Sequence, residues 1–205
     1  MEFLKHKLIP LETRRIRLRE IHDEDLVTMF QWRNTEKFRF LFHHNDNIVN
    51  YTQFCEEFAQ DRAVYRFQFF AEKKDTGEPI GLTFVHTYSE QYRSCFLNIF
   101  ISECFERKGF GTDVFVQFAL FLFQQMELKK IFVQASDYNR HSLACIRNMG
   151  MRELTGNITK MVHAGKEHNI LCFAAGPELV VKLTKITEYL SRPYHKKLQA
   201  GKNIH

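Results

Sequence analysis

A chain of 205 residues, 44% of them hydrophobic, is long enough to bury a core, yet it has no apolar run of about 18 residues, so no transmembrane helix is expected. The net charge of +5 is spread thinly, without a dense Lys/Arg run interleaved with aromatics. That balance suits a polyphosphate or anionic small molecule and argues against nucleic acid. Cys55, Cys95, Cys104, Cys145 and Cys172 are irregularly spaced and form no CxxC pair. They read as reduced, mostly buried thiols of a cytoplasmic protein, with no metal site expected. Met1 to Lys7 lacks the apolar stretch of a signal peptide.

In chain order, Arg15 to Glu20 alternates charged and apolar side chains, which predicts a half-buried strand. His22-Asp23-Glu24-Asp25 places acids in the first turn of a helix expected to run to about Arg33. A second helix is expected over Tyr51 to Gln60, with Phe54 and Phe58 four residues apart. Arg66 to Lys73 and Pro79 to Tyr88 predict two strands joined through Asp75-Thr76-Gly77-Glu78, a hairpin signal. Ser94 to Ile101 is the next strand, and a helix over 112–126 follows, apolar along one wide face. Lys130 to Ala135 reads as a central strand, and Asn139 to Asn148 as a short helix stopped by Gly150. Strands at 159–163 and 168–174 and an amphipathic helix over 178–191 complete the pattern, ahead of a basic tail, Arg192 to Lys197. The strand–helix–strand unit 94–135 should be parallel across a right-handed crossover. The 21 phenylalanines, many of them between Phe38 and Phe70, read as core and pocket lining.

The most informative stretch is Glu106-Arg107-Lys108-Gly109-Phe110-Gly111, set between the strand ending at Ile101 and the helix that follows. A basic, glycine-containing turn entering a helix is a device for holding phosphate. The glycines let backbone approach a ligand, and the first-turn N–H groups and the helix dipole face the anion.

This order of elements resembles the GNAT superfamily of N-acetyltransferases, nearest to the ribosomal-protein N-acetyltransferase-like branch, over about residues 11–175. Leu11 to Arg19 is similar to that branch's opening strand. Glu106 to Gly111 occupies the family's (Arg/Gln)-x-x-Gly-x-(Gly/Ala) loop. Asn139-Arg140-His141-Ser142 followed by Met149-Gly150-Met151 resembles its Asn-x-x-Ser…Leu-Gly-Phe segment. The resemblance implies an α/β (α+β) fold: a mixed, mostly antiparallel sheet of about seven strands, with helices on both faces and a splayed central strand pair. It implies an acetyltransferase-like domain over 1–176, followed by a C-terminal helical extension and basic tail over 177–205.

The cofactor implied is acetyl-CoA. Backbone groups of Ile99 and Ile101 would pair with its pantetheine arm, as in strand addition. The amides of Arg107, Lys108, Gly109, Phe110, Gly111 and Thr112 would hold the pyrophosphate, with Asn139 and Ser142 beside the pantetheine or adenosine portion. Three positions depart from the family's pattern: Gln134 stands where a Glu base is frequent, Ile146 (beside Cys145) where a Tyr acid is frequent, and Glu106 where Arg or Gln is usual.

The reaction implied needs a group to take a proton from an amine. His86 ranks first as base, since its strand neighbours the splayed one, and Asn98 could hydrogen-bond the acceptor. Glu90, His22 with Asp25, His43, His44 and, as a weak acid, Cys145 are further options. Trp32-Arg33-Asn34, Phe38 to Phe42 and Ile48…Phe54 resemble the substrate side of acetyltransferases acting on nucleotide-linked amino sugars, so Arg33 or Arg39 could clamp a phosphate. The expected activity is acetyl-CoA-dependent N-acetylation of a small-molecule primary amine. A nucleotide-linked amino sugar leads. A protein N-terminus, polyamine or aminoglycoside, or a non-catalytic acyl-CoA-binding module, stands as the alternative. A polyamine site should need an acidic cleft, and residues 20–60 show no dense acidic run beyond Asp23-Glu24-Asp25. No nucleic-acid or membrane partner is expected; the tail could serve as a homodimer arm or a lid.

Overall fold

The computed structural model describes residues 11–42, 47–64, 66–156, 159–163 and 166–191. Among them the strands are β1 (Leu11–Glu12), β2 (Ile16–Arg19), β3 (Arg66–Lys73), β4 (Pro79–Ser89), β5 (Ser94–Ile101), β6 (Lys130–Ser136), β7 (Arg152–Glu153), β8 (Thr159–His163) and β9 (Lys166–Ala175). The helices are α1 (Leu26–Arg33), α2 (Glu36–Leu41), α3 (Tyr51–Val64), α4 (Phe110–Leu120), α5 (Arg140–Met149) and α6 (Leu179–Ser191). The sheet runs β1-β2-β3-β4-β5-β6-β9-β7, with β8 on β9. Only β5 and β6 pair in parallel, across the α4 crossover, as the spacing predicts.

That parallel pairing is short. It joins Ser94 to Lys130, Cys95 to Ile131 and Phe96 to Phe132, and then stops although both strands continue. The central pair is therefore splayed. On its other edge β5 stays zipped to β4 through Ile101↔Gly81. Gly81 is required there, because a Cβ would lie 2.0 Å from the Phe100 carbonyl oxygen.

Side-chain alternation along the strands creates two cores. Phe69, Ile80, Val85, Cys95 and Leu97 face α4 and α6, whereas Phe70, Leu82, Phe84 and Phe100 face α1 and α3. On the second face Trp32 stacks on Phe70, with ring centroids 5.4 Å apart and planes at 18°. Leu179 and Leu183 of α6, 5% and 0% exposed, join the first core, and burying such side chains contributes about 1.5–3 kcal/mol each. The tail from Arg192 lies outside the described residues.

Several boundaries differ from expectation. The acids at 23–25 form a separate 3₁₀ turn before α1. The helix expected over 112–126 begins at Phe110 and ends in a π turn at Phe121–Gln125, where the Met126 amide donates to the Phe121 carbonyl at 3.1 Å. The aromatic stretch after Thr35, for which no helix is expected, forms α2, with the Thr35 hydroxyl accepting from the Phe38 amide at 3.2 Å. The signal was readable, an N-cap threonine with Glu36 in the first turn.

Candidate active site

A cleft of about 1180 Å³ opens at the splay between β5 and β6 and continues beneath α1–α3. It exceeds the roughly 300–1,000 Å³ of a site for one drug-sized ligand, so two reactants fit side by side.

Its first wall is the loop into α4. The Ser102 amide donates to the Ile80 carbonyl at 2.8 Å, which sets the antiparallel ladder. Phe100 and Asn98 then bond directly across to β4, while the amides and carbonyls of Ile99 and Ile101 turn toward the gap left by β6. These are the backbone groups expected to meet an extended, amide-containing arm. Beyond them Arg107 adopts φ 57° and Gly109 φ 82°. Left-handed geometry costs a non-glycine residue about 1–2 kcal/mol, which Gly109 avoids as the residue capping α4. The amides of Thr112 and Asp113 return to the Gly109 carbonyl at 3.1 and 3.3 Å. The amides before them, 107 to 111, are the ones this loop offers to an anion.

Arg15 braces the loop from behind. Its guanidinium grips Asp113 through two hydrogen bonds of 2.9 and 3.0 Å and donates to the Lys108 carbonyl at 2.9 Å. Asp113 is fully buried and also accepts from the Thr13 hydroxyl at 3.4 Å. The turn between β1 and β2 thereby fixes the loop into α4, a link the motif itself does not reveal.

Of the residues expected to bind the cofactor, Ile99, Ile101, Arg107, Gly109, Gly111, Thr112, Asn139 and Ser142 line the cleft. The Lys108 side chain turns back to donate to the Cys104 carbonyl at 2.7 Å, and Phe110 is 8% exposed in the core under the Arg15 guanidinium. Those two positions contribute backbone to the loop rather than side chains to the cleft. Asn139 caps α5, its side-chain oxygen accepting from the Ser142 amide at 3.2 Å. Gln134, Cys145 and the buried Ile146 also line the cleft; of the thiols expected to be mostly buried, Cys95 and Cys172 are, whereas Cys104 and Cys145 are exposed and Cys55 is half-buried. Taken together, a basic loop with open amides and a strand edge turned into a gap fit a pyrophosphate joined to a pantetheine arm.

The second wall is aromatic. Phe38, Phe42, Phe54, Phe58 and Phe84 surround the space beneath α1–α3. His86 and Asn98 point to this same face of the sheet. The His86 ring stacks on Phe96 (5.2 Å, 28°), and its Nδ1 lies 3.0 Å from Thr87 Oγ1. Burial holds His86 below its ordinary pKa, so its neutral form is favoured. A bulge in β4 between His86 and Ser89 bends the strand here.

Arg33 lines the cleft, but it is 4% exposed and its guanidinium binds Glu57 through two hydrogen bonds of 2.9 and 3.1 Å. A phosphate would have to displace that pair. Arg39 is half-buried on the last turn of α2, off the cleft lining. Asp25 is committed to Arg19 at 2.6 and 2.8 Å, so the His22–Asp25 pair is structural, and Glu90 is exposed in the turn after β4. His43 and His44 lie outside the described residues.

What sequence reasoning missed is Asp61, one turn beyond Glu57 on α3 and part of the same wall. Burial first, and the Glu57 charge second, push its pKa from 3.8 to about 6, with Arg33 pulling the other way. The spacing Glu57…Asp61 puts both carboxylates on one helix face, but nothing local distinguishes that face from a solvated one.

Two contacts close over the cleft from α2. Phe40 meets Tyr138, from the β6–α5 loop, at 4.7 Å between ring centroids. Lys37 binds both the Ile101 carbonyl and Glu106.

The fold has solved counterparts. A spermidine N-acetyltransferase from Vibrio cholerae, in complex with CoA and spermine, superposes with a TM-score of 0.73 at 16% identity, covering 81% of this chain and 98% of that one. A GNAT-family acetyltransferase from Bacillus anthracis gives 0.69 at 13% identity, with 83% and 99% covered. A candidate ribosomal-protein-serine acetyltransferase from Vibrio cholerae gives 0.63 at 18% identity, with 82% and 98% covered. At these identities the likeness establishes the fold. No curated protein matches the chain in sequence. No described helix is long and apolar enough to cross a membrane. The acetyltransferase (GNAT) domain family matches residues 15–152, and with the splayed pair and the braced phosphate loop beside that match, the chain belongs to this family of acetyl-CoA-dependent acyltransferases.

Proposed function

We propose that the chain N-acetylates a small, positively charged primary amine, held in the aromatic chamber beneath α1–α3 with Asp61 reading its charge. The observation that carries this is Asp61 itself, a half-buried carboxylate in an aromatic wall with no ion-pair partner among the described residues. An ammonium group answers both features at once, through the carboxylate and through the ring faces. The solved spermidine N-acetyltransferase of the same fold points the same way. The acids of this wall come from α3, which is why no acidic run announces them. A nucleotide-linked amino sugar fits less well, because Arg33, its intended phosphate clamp, is neutralised by Glu57.

In this reading the amides of 107–111, Arg107, Asn139 and Ser142 hold acetyl-CoA along the splay. When bound, that group supplies an activated acyl thioester. His86, neutral near pH 7, takes the proton from the acceptor ammonium on the chamber face, and Asn98 orients the amine. Asp61 holds the acceptor's charge away from the reacting end.

The test is mass spectrometry of spermidine, aminoglycosides, amino-sugar nucleotides and N-terminal peptides incubated with acetyl-CoA. Acetylated polyamine or aminoglycoside is the expected product. Acetylation of amino-sugar nucleotides or peptides alone would overturn the charged-acceptor reading. Gly111→Glu serves as the control. A Cβ at Gly111 makes only an ordinary 3.6 Å contact with Ile101, so the fold should survive while a carboxylate enters the cofactor cleft. Binding of CoA should fall by about 100-fold or more.

A further inference from the structure

Glu106 is the anomaly of the phosphate loop, a carboxylate at the position where the family's pattern carries Arg or Gln. Left alone, it would repel a pyrophosphate. It is not alone. Lys37, from the acceptor-side helix α2, forms an ion pair with it and also donates to the carbonyl of Ile101, the last residue of the splayed strand. The Lys37 side chain is 21% exposed and its ammonium lies 5.1 Å from the centre of the Phe100 ring, so its path is fixed by packing. Thr35 sets the start of α2 by capping it, which places Lys37 in the first turn, aimed at the loop. Along the same helix, Phe40 reaches Tyr138 on the far side of the splay.

We propose that Lys37 is the missing cation of the phosphate loop, supplied by the acceptor-side helix of the same chain. Its ammonium cancels Glu106 and leaves the loop net positive for the acetyl-CoA pyrophosphate, tying α2 to the cofactor. Binding of the cofactor thereby holds α2, and with it the Phe38 and Phe42 wall of the acceptor chamber. The inference rests on the placement of the phosphate site given above.

The experiment is calorimetric titration with coenzyme A, without turnover, of the wild type and of Lys37→Met, Lys37→Arg, Glu106→Gln and the Lys37→Met/Glu106→Gln double variant. Lys37→Met should weaken binding about tenfold, and the double variant should recover to within about threefold of wild type, because the repelling charge is gone. Lys37→Arg should bind like wild type, and Glu106→Gln as tightly or tighter. Unchanged binding in Lys37→Met, a double variant no better than Lys37→Met, or weaker binding in Glu106→Gln would each overturn the proposal. The last arm needs no Lys37 variant to fold. Wild type that binds no coenzyme A would overturn the phosphate site as well; wild type that binds, with an unresponsive Lys37→Met, removes only the role of Lys37.

Discussion

The two walls of the cleft are built on different principles. The wall proposed for the cofactor is backbone: strand edges turned into a gap, amides at a helix start, a glycine at φ 82°. The wall proposed for the acceptor is side chain: a cluster of phenylalanines, a histidine with its pKa lowered by burial, Glu57 paired with Arg33 from another helix, and the half-buried Asp61. Backbone recognition suits a moiety shared by a whole family, because it tolerates sequence drift. Side-chain recognition is where one member sets its own substrate.

Four substitutions sharpen or break that contrast. The largest effect is expected at the brace behind the cofactor wall. Arg15→Ala leaves the buried Asp113 carboxylate without its partner; removing one member of such a pair should destabilise the fold by about 3 kcal/mol. Urea unfolding measures it, and a loss under 1 kcal/mol would mean that the loop holds its shape unaided. Next comes His86→Gln, expected to lower kcat about 100-fold with coenzyme A binding unchanged. In kcat/KM a rise near pH 6 from Asp61 should persist in both proteins; in kcat the wild type should rise with pH through a value below 6.5, and the variant should lack that limb. A retained limb would place the base elsewhere.

Asp61→Asn is a smaller change with two opposite readouts. The acceptor KM should rise about tenfold, the scale of one charge-assisted contact. Stability should move the other way. The folded protein holds the Asp61 proton more tightly than the unfolded chain, so the wild type loses stability as pH rises from 3.8 to about 6, and Asp61→Asn escapes that loss. The variant should therefore melt higher than wild type at pH 7 and close to it at pH 4. Equal melting at both pH values would show a solvated carboxylate. The smallest effect is expected from Cys145→Ser. This exposed thiol sits in the cleft beside the buried Ile146, and activity should stay within about twofold of wild type. A collapse would make the thiol a proton donor and put part of the chemistry on the cofactor side.

How far the sequence can be read follows the same division. The alternation of Arg15–Arg19, the hairpin at Asp75–Glu78 and the glycines of 109–111 are local signals, and each corresponds to its element in the structure. The cofactor wall is assembled from such stretches, so its backbone was legible. The acceptor wall is not local. Arg33 meets Glu57 from another helix, and on the cofactor side too the side-chain partners are distant: Lys37 meets Glu106 across the cleft, and Arg15, from the turn between β1 and β2, meets Asp113. Nothing in the spacing announces those partners, so Arg33 read as a free clamp and Glu106 as an unanswered departure. Asp61 was overlooked for a related reason. A carboxylate four residues from another looks like a solvated helix face until the aromatic wall is known to cover it.

The gap between β5 and β6 has a thermodynamic side as well. Ending the ladder at Phe96 and Phe132 gives this sheet an edge in its middle, and an edge strand is ordinarily a liability that proteins cover or charge. In the proposed reading the cover is the cofactor. Occupancy then becomes part of the folding equilibrium: a cofactor at 100 times its Kd adds about 2.7 kcal/mol to the native state. The melting temperature should accordingly climb with coenzyme A concentration in the absence of any amine, and the lifetime of the protein should track the supply of its cofactor.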